Sequence, residues 1–181
     1  MQTGTANGTD ATVVRRATGA DAPTLARLAE RTFREAFGAR NRPDEMDRHC
    51  RDNFGAAIQA REIADEGFST LLLEADGQPA GFAQLRWGDP PDCVAGRVPG
   101  EIQRFYLLQA FHGAGLAATL MDACLDALRR RGCDVAWLGV WEENPRAIAF
   151  YRKHGFDEAG RKVFLSGDEA QRDLVMVKPL R

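Results

Sequence analysis

Histidine and cysteine are scarce in this chain, and their spacing excludes most of what they usually do. The three histidines, His49, His112 and His154, show no ligand spacing such as H-x-x-x-H, and the four cysteines, Cys50, Cys93, Cys124 and Cys133, form no C-x-x-C pair. No structural zinc site is expected, and isolated thiols fit a reducing compartment. His49 and Cys50 are adjacent, but neighbours on a helix do not face one another, which argues against a Cys–His nucleophile pair. No apolar run reaches membrane-spanning length. Met1 to Ala11 is rich in Gly, Thr and Ala and lacks an apolar core, so it reads as a flexible lead-in rather than a signal peptide, with the cytoplasm as the expected location. Charge of one sign is missing too: the net charge is −2, which gives no basic field for nucleic acid. No helix-turn-helix is visible. There is no G-x-S-x-G elbow and no Ser–His–Asp arrangement, so a covalent acyl-enzyme is not suggested.

What remains is an ordinary globular composition, 44% hydrophobic and 28% charged over 181 residues, enough for one domain spanning 12–181. Thr12 to Arg15 reads as a strand, and Asp21 as the cap of a helix from Ala22 to Phe37. Pro43 to Ala64 reads as a polar helical region broken near Asn53-Phe54-Gly55. Ser69 to Glu74 and Pro79 to Trp87 read as strands joined by an Asp76-Gly77 hairpin turn. Gly88 to Gly100, with three prolines and three glycines, reads as a loop. Glu101 to Leu108 is the expected central strand. A helix from Ala114 to Arg131 buries Leu116, Leu120, Cys124 and Leu128. Then come a strand, Asp134 to Val140, a helix, Pro145 to His154, and two antiparallel strands, Phe156 to Leu165 and Asp173 to Val177.

The most informative stretch is Phe111-His112-Gly113-Ala114-Gly115-Leu116-Ala117, between the central strand and the following helix. Two glycines at a strand-to-helix turn let backbone N–H groups converge, and the helix adds free N–H groups and the positive end of its dipole, which together form a phosphate cradle. Tight packing is the other reading of such glycines. About 25 residues on stands Asn144-Pro145-Arg146-Ala147-Ile148-Ala149-Phe150-Tyr151, closing in His154-Gly155-Phe156.

These two motifs, in this order, resemble the GNAT (GCN5-related) N-acetyltransferases. The family's cofactor motif, Gln/Arg-x-x-Gly-x-Gly/Ala, appears as His112-Gly113-Ala114-Gly115-Leu116-Ala117, with His112 departing from the usual Gln or Arg. The resemblance implies an α+β three-layer fold with a mixed, mostly antiparallel sheet flanked by helices and a V-shaped splay between two central parallel strands. It implies acetyl-CoA as cosubstrate, no metal, and direct acetyl transfer to a primary amine in a ternary complex. Backbone N–H groups from His112, Gly113, Ala114, Gly115, Leu116 and Ala117 would hold the pyrophosphate. Phe105, Tyr106 and Leu107 would pair with the pantetheine arm. Asn144 would bond that arm, cap the next helix as an Asn-Pro pair at its start, or both. Phe150 would pack beside the cofactor. Tyr151 matches the tyrosine that protonates the departing thiolate, and Glu101 the place of a general base acting through water.

Within the family, Thr32-Phe33-Arg34-Glu35-Ala36-Phe37, the segment Leu138 to Asn144 and the tail Phe164 to Met176 resemble the PaiA-type polyamine N-acetyltransferases, which implies spermidine or spermine as acceptor. Asp89, Asp92, Glu101, Glu142 and Glu143 fall in segments expected near an acceptor mouth, and Phe33, Phe37 and Trp87 either line it or belong to the core. Peptide, protein N-terminal, amino-acid or aminoglycoside acetyl transfer are the alternatives within the family, and a non-catalytic acyl-CoA sensor the alternative outside enzymes. The strand at Arg172 to Lys178 reads as an edge able to pair in a homodimer.

Overall fold

Apolar residues fill both faces of the central strands, so the sheet must be covered on two sides. In strand β2 (Phe68–Ala75), Leu71 and Leu73 enter one core and Leu72 the other. The computed structural model describes residues 11–39, 41–88, 90–166 and 169–180, so Asp89 and most of the lead-in lie outside the described residues. In chain order the elements are β1 (Thr12–Arg16), α1 (Ala22–Phe37), α2 (Pro43–Phe54), α3 (Ala56–Ala64), β2, β3 (Gln78–Arg86), β4 (Pro99–Leu107), α4 (Leu116–Arg130), β5 (Val135–Trp141), α5 (Pro145–Lys153), β6 (Asp157–Ser166) and β7 (Glu169–Pro179). They build one seven-stranded sheet in the order β1-β2-β3-β4-β5-β7-β6. Among the described residues no helix is long and apolar enough to cross a membrane.

The larger core lies under α4 and α5. Leu120, Met121, Cys124, Leu125 and Leu128 of α4 meet Leu85, Ile102, Leu138 and Met176 of the sheet. On the opposite face, Leu25, Leu28 and Ala29 of α1 and Met46, Cys50 and Phe54 of α2 pack on Leu72 and Phe82. A smaller apolar group, Val94 with Val135, Trp137 and Val175, places the loop after β3 on that same face. His49 stacks on Phe33 at 4.3 Å while Cys50 is buried in the core, so the two side chains diverge.

Every pairing but one is antiparallel. The exception is β4 with β5, parallel and in register only at Pro99↔Val135, Gly100↔Ala136 and Glu101↔Trp137. Beyond Glu101 the strands part. β4 stays paired with β3 as far as Gly81↔Leu107, and β5 stays paired with β7 as far as Trp141↔Asp173. A fork opens in the middle of the sheet, the V-shaped splay implied by the resemblance. A bulge sits at its root: Leu85 faces Ile102 and Gln84 faces Arg104, leaving Gln103 as the extra residue. The bulge breaks the alternation, so Ile102 and Phe105 both point into the core under α4 and α5.

Two expectations change. Asp21 does not cap α1. It lies in a short 3₁₀ turn, where Oδ2 accepts from Thr18 N at 2.7 Å and the carboxylate receives both guanidinium ends of Arg15 at 2.8 and 2.9 Å. The β7 strand is not an edge. Its Leu174-Val175-Met176 run is buried between β5 and β6, so the edge on that side is β6, and β7 offers no free side for a second chain. Trp87 takes the core alternative, packed against the cluster under α4 and α5. Its indole donates to Glu66 O at 2.7 Å, and Arg131, past the end of α4, lies 4.7 Å over the ring. The Asp76–Gly77 turn is as expected, with φ of 50° and 73°, both left-handed as a two-residue hairpin of this kind requires.

Candidate active site

The cradle is built by backbone. Gly113 and Gly115 have φ of 85° and 80°, a region costly for any residue with a Cβ. A Cβ on either would meet no protein atom within 4 Å, so conformation, not crowding, calls for glycine, and the space beside it is open. The first turn of α4 starts its bonding with Ala118 N and Thr119 N to Gly115 O. The N–H groups of Gly113, Ala114, Gly115, Leu116 and Ala117 find no acceptor among the described residues. The approach to this turn is stapled by α1: Gln109 N donates to Glu35 Oε2 at 2.8 Å, and Gln109 Nε2 to Glu35 O at 3.0 Å. His112 does not project freely toward an anion. Its Nε2 lies 3.1 Å from Leu107 O, tying the turn to the end of β4.

The fork supplies a second set of free groups. From Gln103 to Leu107 the side of β4 that faces β5 has no strand partner, and Gln103 Oε1 is buried without one. Phe105, Tyr106 and Leu107 alternate across this edge, with Phe105 and Leu107 on the α4–α5 core and Tyr106 on the α1–α2 core. Asn144 Oδ1 accepts from Ala147 N at 3.1 Å, so the capping role is realised, and its amide nitrogen makes no hydrogen bond among the described residues. An extended chain of amides ending in phosphates fits this geometry, with β4 and Asn144 along the amides and the 113–117 turn at the phosphates.

Tyr151 stands against the fork from α5. It is buried, with ring centroids 6.3 Å from Phe105, 5.5 Å from Phe150 and 6.0 Å from Phe156. Phe150 packs on Phe105 at 5.7 Å and on His154 at 4.3 Å, an aromatic wall rather than a reactive group. The Tyr151 hydroxyl makes no hydrogen bond among the described residues. Burial pushes this phenol far up, and the nearby Tyr106 phenol and Cys124 thiol add to the shift. It is held protonated, the state a proton donor needs. Tyr106 is pushed up to about 12 by burial, against the opposing pull of Arg104.

Glu101 lies at the closed end of the fork, 5% exposed. Arg86 reaches it from β3, with Nε at 2.8 Å and Nη2 at 2.7 Å, both on Oε2. Oε1 is left without a protein partner. Of the other acidic residues named from the sequence, Glu142 is paired with Arg172 at 2.9 Å, and Asp92 and Glu143 form no ion pair among the described residues. Phe33 touches Phe37, Phe54, His49 and Tyr106, forming one aromatic group over β4. No group of three or more His, Cys, Asp or Glu among the described residues is arranged to hold a metal.

The model of the acetyltransferase (GNAT) family matches residues 24–156, spanning α1, the fork, the cradle and α5. The chain belongs to the GNAT family. It is 35% identical over 160 residues to an uncharacterized N-acetyltransferase of Mycobacterium tuberculosis, covering 88% of this chain and 98% of the relative. It is 31% identical over 160 residues to the uncharacterized N-acetyltransferase in the pepI 3′ region of Lactobacillus delbrueckii subsp. lactis, covering 88% and 92%. Its fold matches that of PaiA N-acetyltransferase from Thermoplasma acidophilum in complex with coenzyme A, with a TM-score of 0.73 at 19% identity over 93% of this chain and 99% of that one. This GNAT protein is an acetyl-CoA-dependent N-acetyltransferase. Acetyl-CoA supplies an activated acetyl group, and the cradle and fork are the parts of the chain that fit it.

Proposed function

We propose that this enzyme transfers acetyl directly from acetyl-CoA to a primary amine of a polyamine such as spermidine or spermine, with Tyr151 as general acid and Glu101 as general base. The observation that carries the chemistry is Tyr151, a buried side chain whose protonated hydroxyl has no partner among the described residues beside the open fork. Glu101 supports the second role through Oε1, which Arg86 leaves free to accept from a water.

The reacting nitrogen arrives as an ammonium and gives one proton to Glu101 through that water. When the carbon–sulfur bond breaks, sulfur takes the Tyr151 proton. The new amide nitrogen sheds its second proton, which returns the phenol to its starting state. Holding amine and thioester together supplies much of the rate, because a bimolecular encounter becomes a step within one complex. The polyamine acceptor is supported by the resemblance of Thr32 to Phe37, Leu138 to Asn144 and Phe164 to Met176 to PaiA-type enzymes.

Free-thiol release from acetyl-CoA is the test, against spermidine, spermine, putrescine, amino acids, short peptides and an aminoglycoside. Fastest turnover on spermidine or spermine is expected. Turnover on peptides, amino acids or the aminoglycoside alone would discard the polyamine acceptor and keep the chemistry. Coenzyme A binding with no turnover on any amine would replace the enzyme reading with an acyl-CoA sensor.

A further inference from the structure

On the face of the sheet covered by α1 and α2, one carboxylate lacks the partner that its neighbours have. Glu101 is held by Arg86 and Glu62 by Arg104 at 2.7 Å. Asp173 of β7 is only partly exposed, and its carboxylate makes no hydrogen bond and no ion pair among the described residues. It is in register with Trp141 of β5 and Lys162 of β6. Its side chain lies toward Gly139: a Cβ built there would stand 3.4 Å from Asp173 Oδ2, 2.6 Å from Lys162 Cε and 2.9 Å from Lys162 Nζ. Lys162 is not bonded to Asp173. Its Nζ sits 5.3 Å from the centre of the Trp137 ring, the residue opposite Glu101 where the fork closes.

These residues surround a position one strand beyond the fork. Gly139 is on the open arm of β5, and Asp173 is on β7, displaced by one strand spacing of about 4.8 Å. Tyr106 faces it from β4, and the Asp173 charge raises that phenol further across the gap. Burial raises the Asp173 carboxyl as well, with Lys162 opposing. A half-buried carboxylate with no hydrogen bond or ion pair among the described residues, offset only by the Lys162 charge, keeps a desolvation cost that a bound cation would relieve.

We propose that Asp173 anchors a second, non-reacting ammonium of the acceptor, which takes the place beside it that Lys162 overlooks. This rests on the polyamine reading and gives it a selectivity device: one nitrogen in the fork reacts while another, three or four carbons away, is held at Asp173. Monoamines would find the fork but not the anchor.

The test compares kcat/KM for spermidine and for butylamine in the wild type, Asp173→Asn and Lys162→Gln. The wild type should favour spermidine. Asp173→Asn, close in size, should lower kcat/KM for spermidine by about ten- to a hundredfold, the range for a charged hydrogen bond, and leave butylamine turnover and coenzyme A affinity unchanged. Lys162→Gln should lower KM for spermidine by removing a competing cation. Equal loss on both amines in Asp173→Asn, no loss on either, or a higher spermidine KM in Lys162→Gln would overturn the anchor while the polyamine reading stands. A wild type that turns over amines but shows no preference for spermidine would overturn that reading and the anchor with it.

Discussion

The two edges of β4 carry the same residues and meet different fates. Toward β3 the strand is paired from Glu101 to Leu107, interrupted only at Gln103. Toward β5 it is paired at three residues and then left open. Buried backbone groups are satisfied almost everywhere in folded proteins, so a run of unpaired edge in the middle of a sheet is a place kept for something outside the chain. The faces differ in the same way. Under α4 and α5 the core is almost wholly apolar, with Tyr151 its polar member at the fork. Under α1 to α3 lie Arg86–Glu101 and Arg104–Glu62, and farther along the same face Asp173. In the proposed reaction, one face would hold the cofactor and thiol, and the other would offer charge to an amine.

The largest effect expected from breaking this arrangement is at Tyr151. Tyr151→Phe keeps the ring contacts and removes the proton donor, and kcat should fall about a hundredfold or more, with coenzyme A affinity unchanged. Steady-state kinetics with a calorimetric coenzyme A titration reads both. Gly115→Ala attacks the cradle instead: a left-handed residue with a Cβ costs about 1–2 kcal/mol, so coenzyme A should bind about tenfold more weakly while Tyr151 chemistry is intact. Asn144→Ala removes the cap of α5. The expected loss is about 1 kcal/mol, which calorimetry should read as a melting point lower by roughly 2–4 °C.

The last effect is on pH dependence. Tyr106 and Tyr151 are both raised by burial, Tyr106 to about 12. The unfolded chain loses these phenolic protons near pH 10 and the folded chain only at higher pH. Their contribution is therefore complete below about 10 and falls as pH rises toward 12. Urea midpoints taken at pH 9 and pH 11 should show the decline, and Tyr106→Phe should reduce it, leaving the part due to Tyr151.

Much of this was legible in the sequence because the signals are local. The bounds of α1 follow from its apolar spacing, the break between α2 and α3 from Gly55, and the cradle from two glycines between a strand and a helix. Asn144 announces its cap through the proline that follows it. What was not legible depends on which strands become neighbours. The β7 strand reads as an edge because it comes last, yet its buried Leu174-Val175-Met176 run belongs between β5 and β6, a pairing fixed by long-range burial. Asp21 looks like a cap for α1, but Arg15, six residues earlier, draws its carboxylate away. Asp173 drew no attention because its isolation appears only once Glu101 and Glu142 have found their arginines.

The central claim is that the open edge of β4 is where the amide arm of acetyl-CoA lies. Amide hydrogen exchange with and without coenzyme A tests it most directly. Exchange across Gln103 to Leu107 should slow when coenzyme A is added, together with the turn at Gly113 to Ala117. Slowing at the turn with no change in the β4 segment, at a concentration that saturates binding, would contradict it.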